Sequence, residues 1–255
     1  MNTVFNEDII FFLDKRVENN SVDLIIADPP YNILKIEWDN FNSEKEYMEF
    51  MISWLEKSYQ KLKDTGTFYL FNNAYNSAKL IPILERIGFN FIDWITWYKK
   101  DGFNGCKNKY VNNQETILFL SKSKKWKFNA DSIRVAYLST DRMKHATKKG
   151  ILKNGKRWFP NKNGKLCTNV WEFVSERHNN KINGKIIEGI HPTQKPIKMI
   201  ERMILASSNE NDLILDLFSG TGTTSFAAKN LNRNSLGCEL NSEYYKYILK
   251  RLKGE

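Results

Sequence analysis

The chain has little of what staples or metallates a fold. Three cysteines (Cys106, Cys167, Cys238) and three histidines (His145, His178, His191) are scattered over 255 residues, with no Cys-x-x-Cys and no ligand spacing. That excludes a disulfide framework and a zinc site and points to a reducing cytoplasm. No apolar run approaches the roughly 18 residues of a membrane span. Met1 to Asp8 lacks the basic-then-apolar opening of a signal peptide. No internal repeat or low-complexity tract stands out. Acid is scarce in one stretch: from Ser121 to Gly189, 17 Lys or Arg stand against 5 Asp or Glu, a net of +12 in a chain whose total is +10.

What is present is ample for a core: 41% hydrophobic residues, 13% aromatic. The length fits one α/β domain carrying a sizeable insertion. The apolar run Val22 to Ala27 reads as a buried strand, and Asp28-Pro29-Pro30-Tyr31 ends it abruptly. Proline cannot donate to a sheet ladder and stiffens the loop it begins. A carboxylate and an aromatic ring are thereby fixed at the carboxyl end of a strand, where open α/β sheets bind ligands. A plain strand terminator, its Asp satisfying loop N–H groups, is the other reading of these four residues alone.

Around that stretch, strands and helices alternate. Residues 8–16 form a short helix. A polar loop from Asn32 to Asn42 leads to a long one, with Ser43 and Glu46 as a capping box and Tyr47, Phe50, Met51, Trp54, Leu55, Tyr59 and Leu62 along its buried stripe. Strands follow at 67–71, 91–97 and 116–120, with a helix ending near Gly88. The alternation argues for βαβ units and a largely parallel sheet. Regular structure resumes after residue 190 with a helix starting at Pro196, a strand at 212–216, a helix, a strand at 235–238 and a last helix capped by Asn241.

Residues 121–190 show no sustained period. The division expected is a catalytic and cofactor-binding domain, 1–120 with 191–255, interrupted by a basic insertion at 121–190. Arg142, Lys144, Lys148, Lys149, Lys153, Lys156 and Arg157 are its candidate DNA contacts, because clustered cations suit a polyanion. Trp126, Tyr137, Trp158, Phe159, Trp171 and Phe173 lie between the charges. Such rings can stack on bases, but most are expected to form a small core of the insertion. A solvated lysine-rich loop is the competing reading of the charge.

In the last third, strand, glycine turn, helix, strand and acid make a nucleoside-binding unit. Its candidate residues are Asp216, Phe218, Ser219, Gly220, Gly222, Thr223, Glu239 and Asn241. Ser225 replaces the third glycine of the dinucleotide fingerprint, and the carboxylate of Asp216 before the turn repels a pyrophosphate. S-adenosylmethionine, with a ribose diol for Glu239 and cationic groups for Asp216, fits better. Joined to it, Asp28 and the Pro29 carbonyl can each accept an N–H of an exocyclic amino group, turning its lone pair toward the sulfonium methyl. Tyr31 stacks on the base, which must be flipped out of the duplex.

With these residues the chain resembles the β class of N6-adenine amino-group DNA methyltransferases from restriction–modification systems, especially members of the MboII type that modify a short asymmetric site. The resemblance rests on Asp28 to Tyr31, the basic stretch, His191-Pro192-Thr193-Gln194-Lys195-Pro196 and Asp216 to Gly222 in that order. It covers essentially the whole chain. It implies a Rossmann-like class I methyltransferase fold with a mixed seven-stranded sheet, helices on both faces and a permuted motif order. It also implies cofactor contacts from Asp8, Lys195 and Pro196, and catalytic roles for Asp28, Pro29, Pro30 and Tyr31. Double-stranded DNA, a partner endonuclease and a homodimer are the implied partners, in a bacterial cytoplasm, with no metal. An N4-cytosine enzyme, an RNA adenine enzyme and a catalytically silent DNA-binding subunit are the rival readings.

Overall fold

Six consecutive residues, Val22–Ala27, are buried on both faces of a central strand, and the rest of the sheet is laid out from it. In the computed structural model, residues 1–33, 39–100, 107–176 and 194–254 are described, with the backbone alone for 181–182 and 185–186 and for Thr140 and Arg142.

In chain order the elements are β1 (Asn2–Phe5), α1 (Ile9–Arg16), β2 (Val22–Ala27), α2 (Glu44–Lys61), β3 (Leu62–Asn72), α3 (Ala74–Ile87), β4 (Asn90–Tyr98), β5 (Gln114–Ser121), α4 (Thr140–Lys149), β6 (Ile151–Lys153) and β7 (Lys156–Trp158). After these come β8 (Val170–Glu172), β9 (Lys181–Ile182), β10 (Lys185–Ile186), α5 (Ile197–Ser207), β11 (Leu213–Asp216), α6 (Thr223–Asn230), β12 (Asn234–Cys238) and α7 (Ser242–Lys253).

The main sheet runs β1-β12-β11-β2-β3-β5-β4-β8. Every pairing is parallel except those of β5, which is antiparallel to both β3 and β4. Among the described residues it has eight strands, where the resemblance implies seven. The sequence reading places six of them; β1 is one of the other two, and β8, which comes from the basic stretch and pairs with β4, is the second.

Alternation from Leu24 to Ala27 assigns the two faces, and a register shift between Val22 and Leu24 breaks it at the start of β2. Val22, Ile25 and Ala27 pack with Phe12, Leu13, Trp54, Leu55 and Leu80, on the side of α1, α2 and α3. Leu24 and Ile26 pack with Met199, Ile200, Met203, Ile204 and Ala227, on the side of α5 and α6. Burying such side chains supplies about 1.5–3 kcal/mol each before chain entropy is counted. The stripe of α2 is core, with Tyr47, Met51, Trp54 and Leu55 buried. Ser43 Oγ accepts the Glu46 N–H, while Glu46 reaches back to the N–H of Asn42, one residue before the cap.

The sequence expectation differs from the structure in four places. β1 was not foreseen, and α1 begins at Ile9 with Asp8 as its cap. β3 starts at Leu62, five residues before the expected Thr67. The 121–190 stretch is structured, with α4, the β6–β7 hairpin and β8. Its aromatics do not make a core of their own: Trp126, Trp158 and Phe159 are exposed, while Trp171 is buried against the main sheet. The stretch is also tied to the body by the Asn129 amide, which bonds the Leu205 and Ser208 carbonyls at the end of α5, and by Arg202, whose guanidinium lies 5.1 and 4.6 Å from the ring centroids of Trp171 and Phe173.

Candidate active site

Parallel strands end together, so the residues that end or follow β1, β2, β11 and β12 meet at one edge: Asp8, Asp28, Asp216 and Glu239. The pairing of β4 brings Lys99 to the same edge. Because β5 runs the other way, its first residues, Gln114 and Glu115, arrive there too. These groups line one cavity of about 780 Å³.

The Asp28 loop is held by its backbone. Buried Asp39 accepts the N–H groups of Tyr31, Asn32 and Ile33 at 2.6, 2.6 and 2.9 Å. From the other side Asn76 donates to the Tyr31 carbonyl at 2.8 Å. Both prolines line the cavity.

The Asp28 carboxylate is occupied at both oxygens. Oδ1 accepts the Tyr31 hydroxyl at 2.7 Å and Oδ2 accepts the Lys195 ammonium at 2.5 Å. Glu115 stands beside this pair. Its Oε2 lies 3.3 Å from the Tyr31 hydroxyl and 3.5 Å from Lys195 Nζ, and its Oε1 is paired with Lys99. Two carboxylates and two ammoniums thus balance in a largely buried cluster. Burial raises the Tyr31 phenol well above its ordinary value, and the Asp28 and Glu115 charges add to this, so the phenol is a hydrogen-bond donor and not a base. Burial pushes the Glu115 acid up, but the Lys195 and Lys99 ammoniums outweigh it and hold it below the usual range. Burial opposes the charge on Lys195 while Asp28 and Glu115 more than restore it, leaving its pKa raised.

On the other side of the cavity the glycine turn follows β11. Asp216 is buried, and its Oδ2 has no hydrogen-bond partner among the described residues. Burial, helped by the Glu239 charge, pushes its acid up to about 7. Glu239 accepts the Gly220 N–H at 2.7 Å with one oxygen and the Asn241 N–H at 2.8 Å with the other. Burial raises its pKa and those backbone donors partly offset the rise.

Two glycines here have distinct reasons. Gly222 sits at φ +73°, and a Cβ there meets Ile248 at 2.8 Å. Gly237 on β12 has Ser219 Oγ 2.6 Å from where its Cβ would stand, so the turn can nestle against the strand only because that side chain is missing.

The structure sorts the candidate residues. Asp28, Pro29, Pro30 and Tyr31 line the cavity together with Asp8, Lys195, Asp216, Phe218, Ser219, Gly220, Thr223, Glu239 and Asn241. Gly222 and Pro196 do not line it: the former caps α6 and the latter caps α5. Asp8 caps α1, accepting from the amides of Ile10 and Phe11. Lys195, expected to touch the cofactor, has its ammonium on Asp28. His191, Pro192 and Thr193 lie outside the described residues, as does His178. Asp39, Lys99 and Glu115 were missed. A buried strand headed by an acid is a faint signal for Glu115, and the other two carry none.

The candidate DNA contacts lie on α4 and the β6–β7 hairpin. Lys144, Lys148, Lys149, Lys153, Lys156 and Arg157 are exposed, and Arg157 is bonded to the Lys149 carbonyl, tying hairpin to helix. The Arg142 side chain lies outside the described residues. Among the described residues no group of three or more His, Cys, Asp and Glu could hold a metal, and no helix is long and apolar enough to cross a membrane.

Known proteins resemble this chain in sequence and in fold. Residues 22–250 match the family model for N6/N4 methyltransferases, described as DNA methylase. The chain is 50% identical over 256 residues to the type II methyltransferase M1.MboII of Moraxella bovis, covering 99% of this chain and 98% of that one. It is 34% identical over 251 residues to the DNA adenine methyltransferase YhdJ of Escherichia coli K12, covering 93% and 78%. Among solved structures, M1.HpyAVI in complex with SAM superposes with a TM-score of 0.66 at 26% identity, covering 99% of both chains.

Proposed function

The chain belongs to the N6/N4 DNA methylase family, and on that premise we propose that it methylates the N6 amino group of a flipped-out adenine at a short, asymmetric site in double-stranded DNA. It is an S-adenosylmethionine-dependent DNA methyltransferase of the type II restriction–modification kind. The observation that carries the finer reading is the meeting of the Asp28 loop and the Asp216 turn in one cavity.

The cofactor fits the residues present. The unpartnered, buried Asp216 Oδ2 needs a cationic group or a donor, and a ligand with an ammonium supplies one. Glu239, steadied by two backbone amides, keeps acceptor capacity for ribose hydroxyls. Phe218 offers its ring to the same ligand. S-adenosylmethionine, when bound, supplies an electrophilic methyl group.

This chain's part in the transfer is to orient and to stabilise. The amino nitrogen of adenine is a poor nucleophile because its lone pair is delocalised into the ring. Asp28 Oδ1 and the Pro29 carbonyl accept its two N–H groups, which turns the nitrogen toward tetrahedral geometry. The Asp28 carboxylate then faces the positive charge that grows there. Tyr31 fixes the plane of the base. A base in a duplex cannot reach this cavity and has to be extruded. The exposed lysines of α4 and the β6–β7 hairpin hold the phosphates, and the modified site is thereby protected from an endonuclease of the same specificity.

The test is modification-sensitive sequencing of plasmid DNA from a methylation-free host expressing the protein. N6-methyladenine at one short motif is the outcome expected. N4-methylcytosine overturns the base, and unmodified DNA from cells that hold the folded protein overturns the reading.

A further inference from the structure

The two groups that hold Asp28 share a second acceptor. Oδ1 of Asp28 accepts the Tyr31 hydroxyl and Oδ2 accepts Lys195, so an incoming amino group meets a carboxylate whose oxygens are each already engaged by one donor. Each of these donors already stands close to Glu115 Oε2, the hydroxyl at 3.3 Å and the ammonium at 3.5 Å. Glu115 itself is anchored from behind by Lys99 and by its place in β5. A buried hydroxyl pushed off one carboxylate with no other acceptor is left unsatisfied, at the full cost of its desolvation. Glu115 removes that cost, because the hydroxyl has only to lean toward it.

We propose that Glu115 is a positioning residue of methyl transfer: it receives the Tyr31 hydroxyl when the amino group of the target base takes Asp28 Oδ1. Before the base enters, the hydroxyl is a placeholder that keeps the carboxylate partnered and in the rotamer the base will need. On loading, one hydrogen bond is exchanged for another with no change in the number of protons or charges in the cluster. The high pKa of Tyr31 is consistent with this, since the phenol stays a donor in both positions. Lys195 keeps its hold on Oδ2 throughout, so the carboxylate does not turn during the exchange. The inference rests on the assignment of Asp28 as the amino-group acceptor.

A double-mutant cycle tests it, using single-turnover transfer of labelled methyl from S-adenosylmethionine to unmethylated plasmid DNA. The proteins are the unmodified chain, Tyr31→Phe, Glu115→Gln and the double variant. Transfer by the unmodified chain checks the reading on which the inference rests, independently of the variants. With the hydroxyl present, Glu115→Gln slows transfer about tenfold while cofactor affinity by calorimetry is unchanged; with Phe at position 31 there is no hydroxyl to receive, and the same change costs less than about threefold. A role in folding alone gives the same factor in both backgrounds. Equal factors, or a Glu115→Gln protein as fast as the unmodified chain, overturn the proposal. Should the Gln variant fail to fold, Glu115→Asp, which draws the carboxylate back but keeps its charge, enters the same cycle with the same criterion.

Discussion

Lys195 and Asp28 are 167 residues apart in the chain and 2.5 Å apart in the fold. The pair joins the segment that opens α5 to the loop that closes β2, and only 8% of the lysine side chain is exposed. Replacing Lys195 therefore changes both the charge beside Asp28 and the geometry of its carboxylate.

Asp28→Ala should lower kcat by roughly 10²–10³-fold, as removal of a transition-state interaction does. Cofactor affinity should stay within about threefold, because the Asp216 turn is untouched. Lys195 then has Glu115 as a remaining partner, so the melting temperature should fall only modestly. Isothermal titration and methyl-transfer assays on the same preparation check all three. Full activity removes Asp28 from the mechanism.

Cofactor affinity should fall as pH drops through about 7, by up to about tenfold per unit, because a cation binds the ionised form of Asp216. The sign for folding is opposite. The folded acid keeps its proton up to about 7, whereas the unfolded one loses it near 3.8, so in the ligand-free protein this group favours folding at the acid end and opposes it above. Asp216→Asn should bind weakly with a flat pH profile, which calorimetry between pH 6 and 8, at about half-unit steps, will show.

Asp39→Ala leaves the amides of Tyr31, Asn32 and Ile33 without their acceptor. Stability in urea unfolding should drop by about 1.5–3 kcal/mol or more. Transfer should slow while cofactor affinity holds, since the loop and not the turn is loosened.

Replacing Lys148, Lys149, Lys153, Lys156 and Arg157 together by Gln should weaken DNA binding and flatten its dependence on salt, by about 0.9 in log–log slope for every phosphate no longer neutralised. An unchanged slope makes this a solvated face. The substitutions lie on exposed positions, so the melting temperature should stay within a few degrees.

Gly222→Ala should destabilise the turn by about 1–3 kcal/mol, because the residue sits at φ +73° and the added methyl meets Ile248. Thermal melts with and without cofactor should both move down.

What was legible in the sequence was what burial writes into periodicity. β2 is apolar at nearly every position because both of its faces are covered, and α2 carries a continuous stripe. Asp28, Asp216 and Glu239 were legible as cavity-lining candidates because each ends or follows such a strand. β1 was not, since Asn2, Thr3, Val4 and Phe5 become a strand only by pairing with residues 235–238. α4 was hidden because Ala146 is the one position buried among its described side chains. Glu115 and Lys99 reach the site through the reversal of β5, a fact of sheet order to which local pattern is blind.

The strand order also bears on how the chain acquires its activity as it is made. β2 finds β3 within a few dozen residues, but its other neighbour, β11, is encoded some 190 residues later, and β1 waits for β12. Pairings at such separation are slow and close late. The cavity lined by Asp28, Asp216 and Glu239 therefore comes into being only when the carboxyl-terminal third has emerged from the ribosome.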